Sequence, residues 1–307
     1  MRILAHIHTF NDADIIDRTI GAVRRQTHPV DGILVVDNAS TDGTLERPSL
    51  KKAAILRHQG NVGTSGAVIT GFRYAIEQDY DWIWVFDADS TPDPDALEKL
   101  LRLYDELPKT VRDVTAFLAC LPRDHRDGHP HHGQVFARHG IEIVTPPSEE
   151  GHYAINIAIW SGSLYRVAAI RRIGLPNPDY VLDWGETEYA YHVMKAGYKA
   201  FMHQDAVLRH NIRGAPSLKK KKFKYGPAKI VFFEFPAIRC YYMCRNAFYF
   251  VLYDAVEARF RLLSVYGVQM CLLAGTFLLR PLTHGKQIRA CLRGIWHGLT
   301  GNIAARY

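Results

Sequence analysis

Asp87 and Asp89, two carboxylates one residue apart, close the apolar run Trp82-Ile83-Trp84-Val85-Phe86. An apolar run of that length ended by charge reads as a buried strand that delivers its last side chains to the rim of a sheet. In an open α/β sheet the crevice beyond the carboxyl ends of the strands is where ligands bind. Two hard oxygen donors there suit a divalent cation, Mg2+ or Mn2+, that carries phosphate oxygens. The triplet alone is a weak signal, because solvated acids at a strand end look the same. A second apolar run, Ile33-Leu34-Val35-Val36, also stops at an acid, Asp37, which belongs on the same sheet edge. Asp42-Gly43 then makes a turn, and Ser40 and Thr41 suit either a ligand or the cap of a following helix. In Asn61-Val62-Gly63-Thr64-Ser65-Gly66 the glycines Gly63 and Gly66 let backbone approach a ligand before a helix starts, as a phosphate or ribose cradle requires.

The elements that must position these residues alternate in type. Ile3 to His8, Gly32 to Val36, Ala54 to Arg57 and Trp82 to Phe86 read as strands. Between and after them, Asp12 to Arg25, Gly63 to Gln78 and Pro94 to Leu107 carry apolar residues at helical spacing. This β-α-β order predicts an α/β fold with a mainly parallel sheet covered on both faces and right-handed crossovers. His6 and His8 interrupt the first strand and read as hydrogen-bonded structural histidines rather than ligands. Strand returns near Glu142-Ile143-Val144 and over residues 154–160, and a helix from Glu186 to Ala196 stops at Gly197. His125, His129, His131 and His132 lie in an aperiodic polar stretch that matches no closed zinc pattern, so it reads as a loop.

The composition bounds the class. A chain of 307 residues, 48% hydrophobic and 22% charged, can bury a full core with room for an appendage. Its five cysteines form no C-x-x-C pair, and an odd number argues against a disulfide framework, so a reducing cytosolic setting is expected. The N-terminus turns polar by Asn11 and Asp12, too early for the apolar core of a secretory signal. Charge is divided sharply: 21 Lys and Arg stand against 28 Asp and Glu through residue 208, and 17 against 3 from residue 209. The second part therefore expects an anionic partner. The run Lys219-Lys220-Lys221-Lys222-Phe223-Lys224 suits lipid phosphate. Tyr241, Tyr242, Phe248, Tyr249, Phe250 and Tyr253 interleave with Arg239 and Arg245, and Leu262 to Leu279 is nearly uncharged between arginines. Basic flanks on both sides favour a helix lying on an anionic membrane surface over a spanning one. Such interleaving also suits single-stranded nucleic acid, but no recognisable module accompanies it, so none is expected.

Together these stretches resemble the family 2 inverting glycosyltransferases of the GT-A fold, especially the rhamnosyltransferase and galactofuranosyltransferase-like branch. The resemblance covers nearly the whole chain and rests on several segments. They are the Asn11-containing first loop, Val35 to Thr44, the Asn61/Gly63/Gly66 loop, Asp87-Ala88-Asp89, Ser161-Gly162 and Leu182 to Tyr189. Ala206 to His210 and Tyr241 to Asn246 add two later matches. It implies a nucleotide-diphospho-sugar transferase with a Rossmann-like mixed sheet over residues 1–215 and a basic, aromatic helical region over 216–307. By the resemblance, Thr9, Asn11, Asp37, Asn61, Gly63, Gly66, Asp87 and Ala88 face the nucleotide sugar, and Ser161, Gly162, Trp184 and Glu188 face the acceptor. Asp89 holds the cation, with Asp87 toward the ribose and His210 as a further ligand. Glu186 takes the catalytic-base position. The family commonly has Asp there, and Gly185 replaces a residue that is often acidic, so Asp183 is the alternative base.

Asp37 can accept the imide N–H of a uracil or thymine ring, which points to a UDP- or dTDP-sugar donor. A lipid-linked or polysaccharide acceptor in cell-wall or other surface glycan synthesis fits an enzyme peripheral to the cytoplasmic face of the cell membrane. A homo-oligomer is left open. Two rival readings use the same residues. Asp87-Ala88-Asp89-Ser90-Thr91 also fits a haloacid-dehalogenase-like phosphatase with Asp87 as nucleophile, although that signature normally closes the first strand of its fold. The other rival is a non-enzymatic, nucleotide-binding membrane protein on a degenerate transferase fold.

Overall fold

The computed structural model describes residues 1–138, 140–147, 151–210, 220–225, 228–233, 235–258 and 285–307. The strands are β1 (Ile3–Thr9), β2 (Gly32–Asp37), β3 (Ala54–Arg57), β4 (Trp82–Asp87), β5 (Thr91–Pro92), β6 (Thr115–Asp124), β7 (Gln134–Ala137), β8 (Gly140–Ile143), β9 (His152–Ile155), β10 (Ser163–Arg166), β11 (Lys199–His210), β12 (Lys220–Tyr225) and β13 (Ala228–Phe233). The helices are α1 (Ile16–Arg24), α2 (Gly63–Glu77), α3 (Ala96–Glu106), α4 (Lys109–Arg112), α5 (Val167–Ile173), α6 (Gly185–Lys195), α7 (Ala237–Tyr249) and, last in the chain, α8 (Gly285–Leu299).

The central sheet runs β3-β2-β1-β4-β10-β6-β11-β5, with β9 added against β11. Its first four strands are parallel, as the β-α-β order predicts, while β10 is antiparallel to both β4 and β6. The sheet is therefore mixed, as the family resemblance implies, rather than the mainly parallel one read from the β-α-β order alone. Every residue of β1 is buried, because the strand lies between β2 and β4 with both faces covered. Alternation sends Ile3, Ala5 and Ile7 into one core layer with Ile16, Ile20, Trp84, Phe86, Leu97 and Leu100. Leu4 joins the opposite layer, built with Phe72, Ile83, Val85, Trp160, Tyr165 and Tyr189.

His6 shares the α2 side of β1, where Gly71 makes room for it: a Cβ there would lie 2.7 Å from the imidazole. The expected hydrogen bonds do not form. His6 is wholly buried, and neither ring nitrogen meets a partner among the described residues. Burial first, then the neighbouring His8, holds its pKa well below the usual histidine value. An unsatisfied buried polar group costs about 1–3 kcal/mol, so His6→Leu is expected to stabilise the fold by on the order of 1 kcal/mol. The unfolded chain takes a proton here near pH 6.5 and the folded one does not. This contribution therefore erodes stability as pH falls below about 6.5 and is absent above it. Urea titrations at pH 7.5 and 5.5 should show wild type losing more stability than His6→Leu.

Two compact units emerge. The first comprises Met1–Ala137, Ile141–Val181 and Gly185–Ile212; the second comprises Arg138–Gly140, Leu182–Trp184 and Arg213–Tyr307. In the second, β12 and β13 pair antiparallel where the sequence showed only a basic run. Helices α7 and α8 approach closely at glycines: a Cβ on Gly294 would sit 2.4 Å from the Tyr241 carbonyl oxygen, and one on Gly298 2.6 Å from that of Arg245. Among the described residues no helix is long and apolar enough to cross a membrane. The expected surface helix Leu262 to Leu279 lies outside the described residues, and the four cysteines within them are free thiols.

Candidate active site

The site forms where β1, β2 and β4 end together. Asp37 ends β2 level with Thr9 of β1, and Asp87 ends β4 level with His8. A short connection then places Thr91–Pro92 antiparallel to Leu208–Arg209, which carries His210 back beside the carboxylates. One donor atom each from Asp87, Asp89 and His210 lies within 4.8 Å of the others. His210 Nδ1 is 3.2 Å from Asp89 Oδ1, and its Nε2 is 3.7 Å from Asp87 Oδ2. Two carboxylates and an imidazole are a donor set that Mn2+ accepts, and the spacing fits one ion.

The electrostatics follow from this crowding. Burial alone would push the Asp87 carboxyl up, but His8, first by its charge and then by its hydrogen bond, and His210 pull it down to about 2. Burial opposes charge on His210, yet its hydrogen bond to Asp89 and the fields of Asp87, Asp89 and Asp124 raise its pKa. Two buried serines brace the cluster. The Asp87 N–H donates to Ser161 Oγ at 3.1 Å, Ser161 donates to Ser90 Oγ at 2.6 Å, and Ser90 Oγ lies 2.8 Å from His210 Nδ1. Ser161, expected on the acceptor side, is thus buried and spends its hydroxyl on the strand end. Gly162, at φ 80°, turns the chain where a Cβ would meet Leu208 at 2.9 Å. Ser90 was missed because a serine after an acidic triplet carries no signal until β11 supplies its partner.

On the nucleotide side the loops are tied together. Thr9 is buried and donates to Asp12, while the Asn11 N–H donates to Ser40 Oγ and its Oδ1 accepts from the Thr41 N–H. Asp37 is fully buried, accepts from the Ser40 N–H through both oxygens and pairs with Arg57 at 3.3 Å. Ala88 is buried and its carbonyl accepts from Thr19. Asn61 is exposed and accepts from the Gly63 N–H. The two glycines serve packing. A Cβ on Gly63 would fall 2.0 Å from the Val181 carbonyl oxygen, and one on Gly66 would fall 2.7 Å from Val62, so neither position has room for a side chain. Asn11 and Ala39 are two of the six non-glycine residues with positive φ among those described, so these loops hold backbone that few side chains adopt.

In the first unit α6 opens with Gly185 pressed against Ser65 and carries Glu186, half-buried, in its first turn. Glu188 does not share that outlook. Two helical residues differ by about 200° in direction, and Glu188 is 1% exposed, accepting from the Asn177 N–H with His192 nearby. Glu188, expected on the acceptor side, is thus buried in the first unit with its carboxylate turned to Asn177 and His192. In the second unit Asp183 accepts from Arg239 through both oxygens at 2.8 to 3.2 Å. Asn246 donates to the carbonyls of Leu182 and Asp183, both at 2.9 Å, and the Trp184 ring lies 5.7 Å from that of Phe250.

With this geometry established, comparison with known proteins is decisive. The family model described as glycosyl transferase family 2 matches residues 5–174. The chain belongs to that family. An undecaprenyl-phosphate mannosyltransferase from Micrococcus luteus is 36% identical over 106 residues, 33% of this chain and 43% of the relative. A galactofuranosyltransferase from Mycobacterium tuberculosis is 24% identical over 217 residues, covering 68% of this chain and 69% of that one. Among solved structures, a mannosyltransferase from Pyrobaculum calidifontis in complex with GDP-Man and Mn2+ superposes with a TM-score of 0.57. It is 16% identical, with 97% of this chain and 87% of that one covered, which shows the shared GT-A fold. As a family 2 glycosyltransferase the chain leaves no place for the phosphatase reading. Asp87 ends the fourth strand of a nucleotide-sugar transferase sheet and is held by His8 and Ser161.

Proposed function

We propose that this glycosyltransferase moves a sugar from a UDP- or dTDP-sugar onto a hydroxyl of a lipid-linked or polysaccharide acceptor, inverting the anomeric carbon. The reading rests on the Asp87, Asp89 and His210 cluster standing at the same strand ends as Asp37 and the Asn11 loop. Asp89, His210 and one oxygen of Asp87 hold a divalent cation. Bound there, the cation supplies neutralising charge for the diphosphate that leaves the sugar. Asp37 faces the base ring and Asn11 the nucleotide.

Glu186 takes the proton of the attacking hydroxyl, and a single displacement inverts the centre. Asp183 is the weaker choice for base, because Arg239 already engages both its oxygens. Relatives named for undecaprenyl-phosphate, galactofuranosyl and dolichyl-phosphate transfer support a lipid-linked or glycan acceptor. The basic C-terminal part, with 17 Lys and Arg against 3 acids from residue 209, supports attachment to the anionic cytoplasmic face of the cell membrane.

Thermal denaturation with UDP, dTDP or GDP, each with and without Mn2+, tests the donor assignment. A ligand at a hundred times its Kd adds about 2.7 kcal/mol of stability, so UDP or dTDP with Mn2+ should raise Tm further than Mn2+ alone. A shift with GDP alone overturns the choice of nucleotide, and no shift with any of the three overturns the reading of the site.

A further inference from the structure

His8 stands in the strand that ends at the nucleotide loop, where a bare apolar residue would satisfy the fold. It is buried, and β1 pairs with β4 so that it faces Asp87 directly. Its Nε2 lies 2.5 Å from Asp87 Oδ1. A carboxylate oxygen can only accept, so the imidazole N–H donates and occupies that oxygen. The other oxygen, Oδ2, is the one turned toward His210. Since Ser161 accepts from the Asp87 backbone N–H, both the main chain and one carboxylate oxygen of Asp87 are anchored. His8 is not itself among the residues whose donor atoms converge on the cation position.

We propose that His8 is a positioning residue that makes Asp87 a one-oxygen ligand of the cation site. This inference rests on the cation-binding reading given above. Its chemistry is that of an outer partner which fixes the rotation of a ligating carboxylate. A carboxylate free to turn can offer both oxygens, the mode that a large ion with six to eight oxygen ligands readily uses. Held by His8, Asp87 offers one, which suits the smaller octahedral ions and disfavours Ca2+. His8 therefore contributes both affinity and ion choice. His6, two residues earlier on the same strand, touches no ligand of the site and does neither.

Direct Mn2+ binding, followed by the electron paramagnetic resonance signal of the free ion in titrations of the full chain, tests this without any turnover. Ca2+ competition in the same samples gives the ion preference. His8→Met removes the donor at similar bulk and should raise the Mn2+ Kd by about 10–100-fold. It should also narrow the preference for Mn2+ over Ca2+. His8→Gln keeps an N–H within reach and should bind Mn2+ within about threefold of wild type, and His6→Leu should match wild type. Should His8→Met not fold, His8→Asn, whose amide ends one bond short, is expected to show the same loss. Equal Mn2+ affinity in wild type and the donor-deficient variant, or equal loss in His8→Gln and His8→Met, overturns the role of His8. Absence of Mn2+ binding in wild type overturns the cation site itself.

Discussion

Replacing Glu186 with Gln is expected to abolish sugar transfer, lowering kcat by about 10²–10⁴-fold while nucleotide binding is unchanged. The substitution keeps the size of the side chain and removes its charge and its ability to take a proton. Glu186 sits in the first turn of α6, whose start is fixed by Gly185 against Ser65, so the amide occupies the place of the carboxylate. Asp183→Asn is the matched comparison. Its carboxylate is already committed to Arg239 and its turn is pinned by Asn246, so the expected effect is a partial loss through disturbed positioning. Transfer rates with an intact donor and acceptor, read beside nucleotide-dependent thermal shifts, separate the two. Normal turnover in Glu186→Gln together with a dead Asp183→Asn would move the base to Asp183.

Asp89→Asn should be as damaging for a different reason. It removes one of two carboxylates in a cluster that also holds an imidazole 3.2 Å away. Charge neutralisation at a departing diphosphate is worth several kcal/mol, and each 1.36 kcal/mol is a factor of ten, so a loss of roughly 10³-fold is expected. The Mn2+-dependent part of nucleotide stabilisation should vanish with it. A chelator added to wild type should reproduce the loss, and added to Asp89→Asn should change nothing further, because both remove the same interaction. A chelator effect that persists undiminished in Asp89→Asn would place the cation elsewhere.

Much of this architecture was legible locally. The strands ending at Asp37 and Asp87 and the helices between them announce themselves by apolar runs and helical spacing, and the structure places them within a few residues of those bounds. The strands β6, β10 and β11 were not read. Ser163–Arg166 is too short to carry a period, and Lys199–His210 changes register between His203 and Val207. Their loss hid the antiparallel β10 from local patterning, so the mixed order of the sheet came only with the family resemblance. Glycine signals misled in a specific way. Gly63 and Gly66 mark close approach correctly, but what approaches is Val181 and Val62, a partner that single-chain patterning cannot name. The burial of Ser161 and Glu188 was equally out of reach, since motif neighbours do not disclose which way a side chain faces.

The contacts of Val181 with Gly63 and of Gly185 with Ser65 carry a consequence for redesign. The loop beginning at Asn61 and the start of the helix that bears Glu186 interlock through a carbonyl oxygen at one glycine and a hydroxyl at another. A side chain placed at Gly63 would collide with the Val181 carbonyl oxygen, and one at Gly185 with the Ser65 hydroxyl. Residues 63–65 thus pack as one piece with Val181 and Gly185, and a graft at either place in this scaffold has to take both from the same source.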